Sequence, residues 1–160
     1  MPHIHTKPGE IDYAADVFVV HMPTKRVLLR FHDKHKMWLV PGGHIELNEL
    51  PHEAAVREVE EEVGLKVELY TGHQSFQHKT ERYEELFTPN FMNIHNVGPD
   101  HRHLSLVYFA TSESDEIREP ENHEKSGGCI WLTKEELLAH PEVDETIKYY
   151  GLAALETLAP

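Results

Sequence analysis

Nine specified positions between Gly43 and Leu65 restrict this chain more than anything else in it: Gly43, Glu49, then Arg57, Glu58, Val59, Glu61, Glu62, Gly64 and Leu65. With the chain's own residue abundances, such a spacing should arise by chance on the order of once in a million sequences of this length. It also reads as a helix. Pro51 suits a first helical turn, Glu49 and Glu53 complement the positive end of the dipole, and Gly64 suits a left-handed terminator. The spacing therefore predicts a helix from Leu50 to Val63. At about 100° per residue, Ala55, Val56, Val59 and Val63 form an apolar stripe that must face a core. Glu58, Glu61 and Glu62 fall on a second direction. Arg57, four residues after Glu53 and four before Glu61, can bridge the solvent side to that acidic face.

Three carboxylates on adjacent turns repel one another, and without a cation among them at least one should have a raised pKa. A divalent ion relieves the repulsion, and oxygen ligands without a partnering cysteine favour Mg²⁺ or Mn²⁺ over zinc. The competing reading is a merely solvated acidic face; the flanking glycines and the spacing speak against it.

Gly43 to Leu65 resembles the Nudix box of the Nudix hydrolases at every defining position, and Trp38-Leu39-Val40-Pro41-Gly42-Gly43 resembles the usual lead-in to that box. The resemblance implies a single domain over residues 1–160, an α/β/α sandwich with a central mixed sheet between helices. It also implies a metal-dependent attack of water on a diphosphate linkage in a nucleoside diphosphate derivative. By position in the motif, Glu58 and Glu62 would be the main metal ligands and Glu61 a further ligand or the general base. The carbonyl of Gly42 or Gly43 would complete the set, with Arg57 orienting the glutamates and Glu49 and Gly64 holding loop and helix in register. The implied ion is Mg²⁺ or Mn²⁺. A homodimer is compatible with the resemblance.

Composition narrows the partners. A formal charge of −13 over 160 residues disfavours nucleic-acid polymers, which need a basic surface, while a small phosphorylated substrate bridged by metal does not. Cys129 is the only cysteine, so neither an intramolecular disulfide nor a cysteine-based zinc site is available. No apolar run approaches the roughly 20 residues of a membrane span, and the N-terminus lacks the form of a signal peptide. A cytoplasmic location, without membrane partners, is the expectation.

Elsewhere the pattern alternates strands and helices. Strands are expected at Ala14 to His21 and Arg26 to Phe31 around the turn 22–25, then at Met37 to Leu39, Lys66 to Thr71, Asn90 to Asn96, Leu104 to Ala110 and Gly128 to Leu132. Thr133 and Glu136 form a capping box for a short helix ending near His140. A last helix from Val143 to Leu158 carries an apolar stripe of Val143, Ile147, Tyr150, Ala154 and Leu158, and should cover the sheet face opposite the glutamate helix.

The stretch from Gly72 to His103 is where the sequence becomes individual, and long connections are usually functional. Part of it is expected to form the leaving-group pocket, with Phe76, Tyr83, His101 and His103 as candidate substrate-binding residues beside Trp38; an aromatic there could stack on a base, while Phe87 and Phe91 read rather as core. In an extended backbone His101 and His103 point to one side, which suits a phosphate or a second metal, or plain hydrogen-bonded histidines. His44 and His52 border the box and receive no role. Glu121 and Glu124 are candidates for the additional acid that relatives of this kind often supply, or else part of a solvated loop. Two alternatives to a hydrolase remain: a catalytically silent nucleotide-binding sensor on the same fold, and an isoprenoid diphosphate isomerase-like enzyme, whose chemistry needs a cysteine in a context that Cys129 lacks.

Overall fold

The computed structural model describes residues 6–72, 78–120 and 126–160. Its elements are β1 (Ile11–His21), β2 (Arg26–His32), β3 (Met37–Leu39), β4 (Gly42–His44), α1 (Pro51–Val63), β5 (Glu68–Leu69), β6 (Phe91–Gly98), β7 (His101–Ser112), β8 (Cys129–Leu132), α2 (Lys134–Ala139) and α3 (Glu145–Leu158). The strands form one mixed sheet. Its main path runs β3-β2-β1-β7-β5, with β4 on β1, β6 on β7 and β8 on β2.

The central ladder joins β1 to β7 in parallel, from Ile11 opposite Arg102 to His21 opposite Ser112. Side chains alternate across a strand, so β1 feeds two cores. Ala15, Val17 and Val19 pack with Ala54, Ala55, Val59 and Val63 of α1 on one face. Phe18 and Val20 pack with Leu137 of α2 and with Ala154 and Leu155 of α3 on the other. The expected α/β/α sandwich is the observed architecture. Burying each large apolar side chain of these layers stabilises by about 1.5–3 kcal/mol.

Helix α1 begins one residue later than expected, with Leu50 as its cap and Glu53 accepting from the Leu50 N–H at 3.1 Å. It ends at Gly64, whose φ of 68° is left-handed and whose missing Cβ would otherwise lie 2.6 Å from the Arg118 carbonyl. The buried stripe is Ala54, Ala55, Val59 and Val63. Val56, expected in that stripe, is only half-buried, because Ala54 and Ala55 together face the sheet. The cap and box at Thr133 are present, as is the turn at 22–25, where Val20 pairs with Val27.

Four strand expectations need correction. β1 starts at Ile11 and β7 at His101, both earlier than read, because each completes the other's ladder. Lys66 to Thr71 contributes only Glu68 and Leu69, which pair with Thr111 and Ala110 at the end of β7. Residues 42–44, where no strand was expected, form one against β1, with Ala14 opposite His44, Ala15 opposite Gly43 and Asp16 opposite Gly42.

Candidate active site

β4 positions the glutamates because two of its three residues have no side chain. A Cβ on Gly43 would collide with the Glu58 carboxyl, and one on Gly42 would stand 2.5 Å from the Ala15 carbonyl oxygen. Glycine thus lets Glu58 lie against the strand. The Gly42 N–H donates to Glu62 Oε2 at 3.1 Å.

Arg57 is the hub. Its Nε and Nη2 donate to the two Glu49 carboxylate oxygens at 2.6 and 3.0 Å, and its Nη1 to Glu58 at 2.8 Å and Glu61 at 2.9 Å. Nη2 also donates to the His44 carbonyl at 3.0 Å, fastening the helix to β4. The i to i+4 bridge to Glu61 is present. On the other side Arg57 takes Glu49, because Glu53 is turned back to cap Leu50. Hydrogen bonding to Arg57 holds the Glu49 carboxyl below its ordinary range and raises the guanidinium's own pKa.

Two of the three clustered glutamates have raised pKa values, as expected, but burial rather than mutual repulsion is the main cause. Burial raises the Glu58 carboxyl, against the opposing pull of Arg57. Burial also pushes Glu62 up to about 7, with Arg30 and the Gly42 N–H opposing and Glu58 and Asp16 adding to it. Arg30, which sequence reasoning passed over, is buried and pairs with Glu62 at 3.1 Å; its Nε stands 4.0 Å from Glu119. Asp16, opposite Gly42, is likewise raised by burial. Glu61 reaches solvent, its side chain 38% exposed.

Among the described residues, one set of four potential ligand atoms lies within 4.8 Å of one another, and it is not the glutamate face. It comprises Asp12, His44, His101 and His103, a cluster able to hold a divalent metal. His101 Nε2 is 2.9 Å from Asp12 Oδ2 and His44 Nε2 is 3.5 Å from the same oxygen. Burial lowers His44 and takes His103 down to about 4, aided by the neighbouring imidazoles. His101 and His103 do point to one side of their strand, but into this pocket and away from the glutamates. Asp12 and His44 were missed as its members, since neither carries a local signal.

The other candidates separate. An open groove beside Arg57 and Glu61 is lined by His52, Val56, Leu69 and Phe87, with Phe87 edge-on to His52 at 4.6 Å between centroids. Phe87 therefore both packs on the first core and borders the groove. Phe91 belongs to the second core. Tyr83 is 56% exposed on a small turn closed by the Lys79 to Glu84 bridge. Trp38 packs on Phe31 and His140 at 5.2 and 5.9 Å, part of the second core. Phe76, Glu121 and Glu124 lie outside the described residues. Burial pushes the Cys129 thiol up to about 11, with Glu119 adding to the effect, so it is no ready acid or nucleophile. No described helix is long and apolar enough to cross a membrane.

Comparison with known proteins converges on one family. A model of the NUDIX domain matches residues 11–152. A NUDIX-family hydrolase from Clostridium perfringens has a structure similar to this one, with a TM-score of 0.78 and 33% identity, covering 92% of this chain and 97% of that one. An 8-oxo-dGTP diphosphatase from Proteus vulgaris is 30% identical over 128 residues, 79% of this chain and 88% of its own length. The m7GpppN-mRNA hydrolase NUDT17 of Xenopus laevis is 28% identical over 128 residues, 73% of this chain, and the chain spans only 40% of that protein's length.

Proposed function

The chain belongs to the NUDIX domain family, and we propose that it is a pyrophosphohydrolase that cleaves the diphosphate linkage of a small nucleoside diphosphate derivative by attack of water at phosphorus. The observation that carries this reading is the arrangement around Arg57. One guanidinium holds Glu49, Glu58 and Glu61 and ties them to β4, while Glu62 is held beside Gly42 by a backbone N–H.

The residues fit a hard divalent ion. The space beside Gly43 admits the Glu58 carboxyl, and burial raises both Glu58 and Glu62, with the neighbouring carboxylates adding to it, so a cation among them would favour their charged forms. Glu58, Glu62 and Glu61, with the carbonyl of Gly42 or Gly43, would hold Mg²⁺ or Mn²⁺. When bound, that ion would supply charge stabilisation at a phosphoryl oxygen and a more acidic water. Arg57 holds Glu58 and Glu61 in fixed orientations through its Nη1 hydrogen bonds. Glu62, near 7 before any ion arrives, gives up its proton close to neutral pH. Glu61, the exposed member, would serve as a further ligand or take a proton from the attacking water. Arg30 holds the far side of Glu62 and balances one of its neighbours' charges.

The names of the curated relatives point to two different nucleotide substrates, and the strongly acidic chain favours a small one over a polymer. The groove bordered by Phe87 and His52 is where a base or sugar would lie. The test is a panel of nucleoside triphosphates, oxidised nucleotides, nucleotide sugars and dinucleoside polyphosphates with Mg²⁺ and Mn²⁺, with products identified by mass spectrometry. Turnover of at least one, lost in Glu62→Gln, is expected. Nucleotide binding without turnover across the panel would instead establish a sensor.

A further inference from the structure

Asp12, His44, His101 and His103 are brought together by three strands, β1, β4 and β7, and lie on the sheet face opposite Glu58. On β1, Asp12 shares the face of Phe18, which packs towards α3, and it stands directly across from His103. His44 stands across from Ala14 on the same face. The two polar clusters are thus back to back across β4, and His44 belongs to both: its ring to one, its carbonyl, which accepts from Arg57, to the other.

We propose that these four side chains form a second metal site, for a borderline transition ion of which Zn²⁺ is the type, separate from the glutamate face. Three imidazoles and one carboxylate are the donor set such ions prefer, whereas Mg²⁺ favours oxygen ligands and water. Zinc bonds of 2.0–2.1 Å in a tetrahedron separate ligand atoms by about 3.4 Å. The pocket already has separations of 2.9 and 3.5 Å at Asp12 Oδ2 and none above 4.8 Å. Four protein ligands make a closed site, structural in character.

Two of the imidazoles, His44 and His103, carry the mark of a missing partner. His44 has a side chain only 2% exposed, and neither of its ring nitrogens has a hydrogen-bond partner among the described residues; the same holds for His103 Nε2. Buried polar atoms are almost always satisfied. One carboxylate cannot satisfy three imidazoles, and it is already engaged by His101 and by Thr6, whose hydroxyl donates to Oδ1 at 2.5 Å and aims Oδ2 at the rings. A phosphate is the wrong occupant, because the Asp12 carboxylate sits among the imidazoles, 2.9 Å from His101 Nε2, and would repel it.

The ion would lock β4 to β1 and β7, and through the His44 carbonyl would steady Arg57. The test titrates the full chain, freed of metal by chelator, with Zn²⁺ and with Co²⁺. One equivalent should bind, with the intense visible bands of four-coordinate cobalt, and millimolar Mg²⁺ should not displace it. His101→Ala/His103→Ala should weaken binding by more than the roughly 10–100-fold that loss of an outer-shell partner brings. Glu58→Gln/Glu62→Gln and His3→Ala/His5→Ala should leave it unchanged. X-ray absorption of the zinc-loaded wild-type protein should count three imidazoles, which keeps the test decisive if the double histidine variant does not fold. No stoichiometric binding, fewer than three imidazoles, or binding that follows the glutamates or the N-terminal histidines would overturn the proposal.

Discussion

The two polar clusters either side of β4 answer the same problem, buried titratable groups, in opposite ways. The glutamate face is a set of neighbours on one helix, charged, partly open to water and restrained by arginines. The imidazole pocket is a set of strangers in sequence, closed and with two of its rings held neutral. Burial raises Glu58 and Glu62 and lowers His44 and His103, so in each case desolvation favours the uncharged form. A cluster of this kind can be relieved by a hard cation that restores charge, or by a softer one that accepts lone pairs. The chemistry of each cluster selects which.

The largest effect should come from the glutamates alone. Glu62→Gln and Glu58→Gln keep size and remove a charge, and each is expected to reduce kcat by a factor on the order of 10² or more at saturating Mg²⁺. Circular dichroism should report an unchanged fold. Near-normal turnover in both variants would remove the functional half of the contrast.

Next in size, the two glycines of β4 should separate the clusters. Gly42→Ala drives a Cβ against the Ala15 carbonyl and Asp16, backbone that cannot yield cheaply, and should destabilise by about 1–3 kcal/mol in urea unfolding. The nearest atoms to a Cβ in Gly43→Ala belong to the Glu58 carboxyl, the end of a movable side chain, so it should cost activity more than stability. Equal loss of stability in both would mean that β4 does not divide the sites.

The pH dependence of metal-free stability sharpens the comparison further. Glu62 is raised from its ordinary 4.5 to about 7, so the folded state holds the proton more tightly. Its contribution is present below about pH 4.5 and is lost as pH rises to about 7. His103 is lowered from 6.5 to about 4; its contribution is present above about pH 6.5 and is lost as pH falls to about 4. The slopes oppose each other over one window. In chelator, melting temperatures of Glu62→Gln should therefore rise more steeply with pH than those of the wild type; parallel curves would discount the shift at Glu62.

The smallest effect is expected outside both clusters. Tyr83→Ala, at an exposed position, should change stability by less than about 0.5 kcal/mol. If residues 72–103 read the leaving group, it should raise KM more than it lowers kcat; an identical substrate ranking would place selectivity at the groove beside Phe87.

How legible each cluster is in the sequence follows from how it is assembled. Glu58, Glu61 and Glu62 share a helix, so a spacing of three and four residues already places them together, and Gly64 and Pro51 mark its ends. Arg30 and Glu62 meet only because β2 and α1 share a core, which no local pattern announces. Asp12 and His103 meet through a parallel ladder between strands far apart in the chain. His101 and His103 could be seen to share a side, yet their partners could not. His44 sits in a glycine-rich segment with no alternation, so neither its strand nor its direction was visible. The shortening of β5 has the same origin: Lys66 to Thr71 has strand-like residues, but its ladder with β7 is confined to Thr111 and Ala110, with one further bond from the Tyr70 N–H to the Phe109 carbonyl.

The parallel pairing of β1 with β7 has a temporal consequence. Its residues are separated by some ninety positions, from Ile11 with Arg102 to His21 with Ser112, and long-range parallel pairing places folding on the order of milliseconds to seconds. During synthesis the first strand can close its hairpin with β2 early, while its other edge waits until residue 112 has emerged. The glutamate helix is complete well before then. The imidazole pocket, drawing on both strands of that ladder, is among the last places in the molecule to exist.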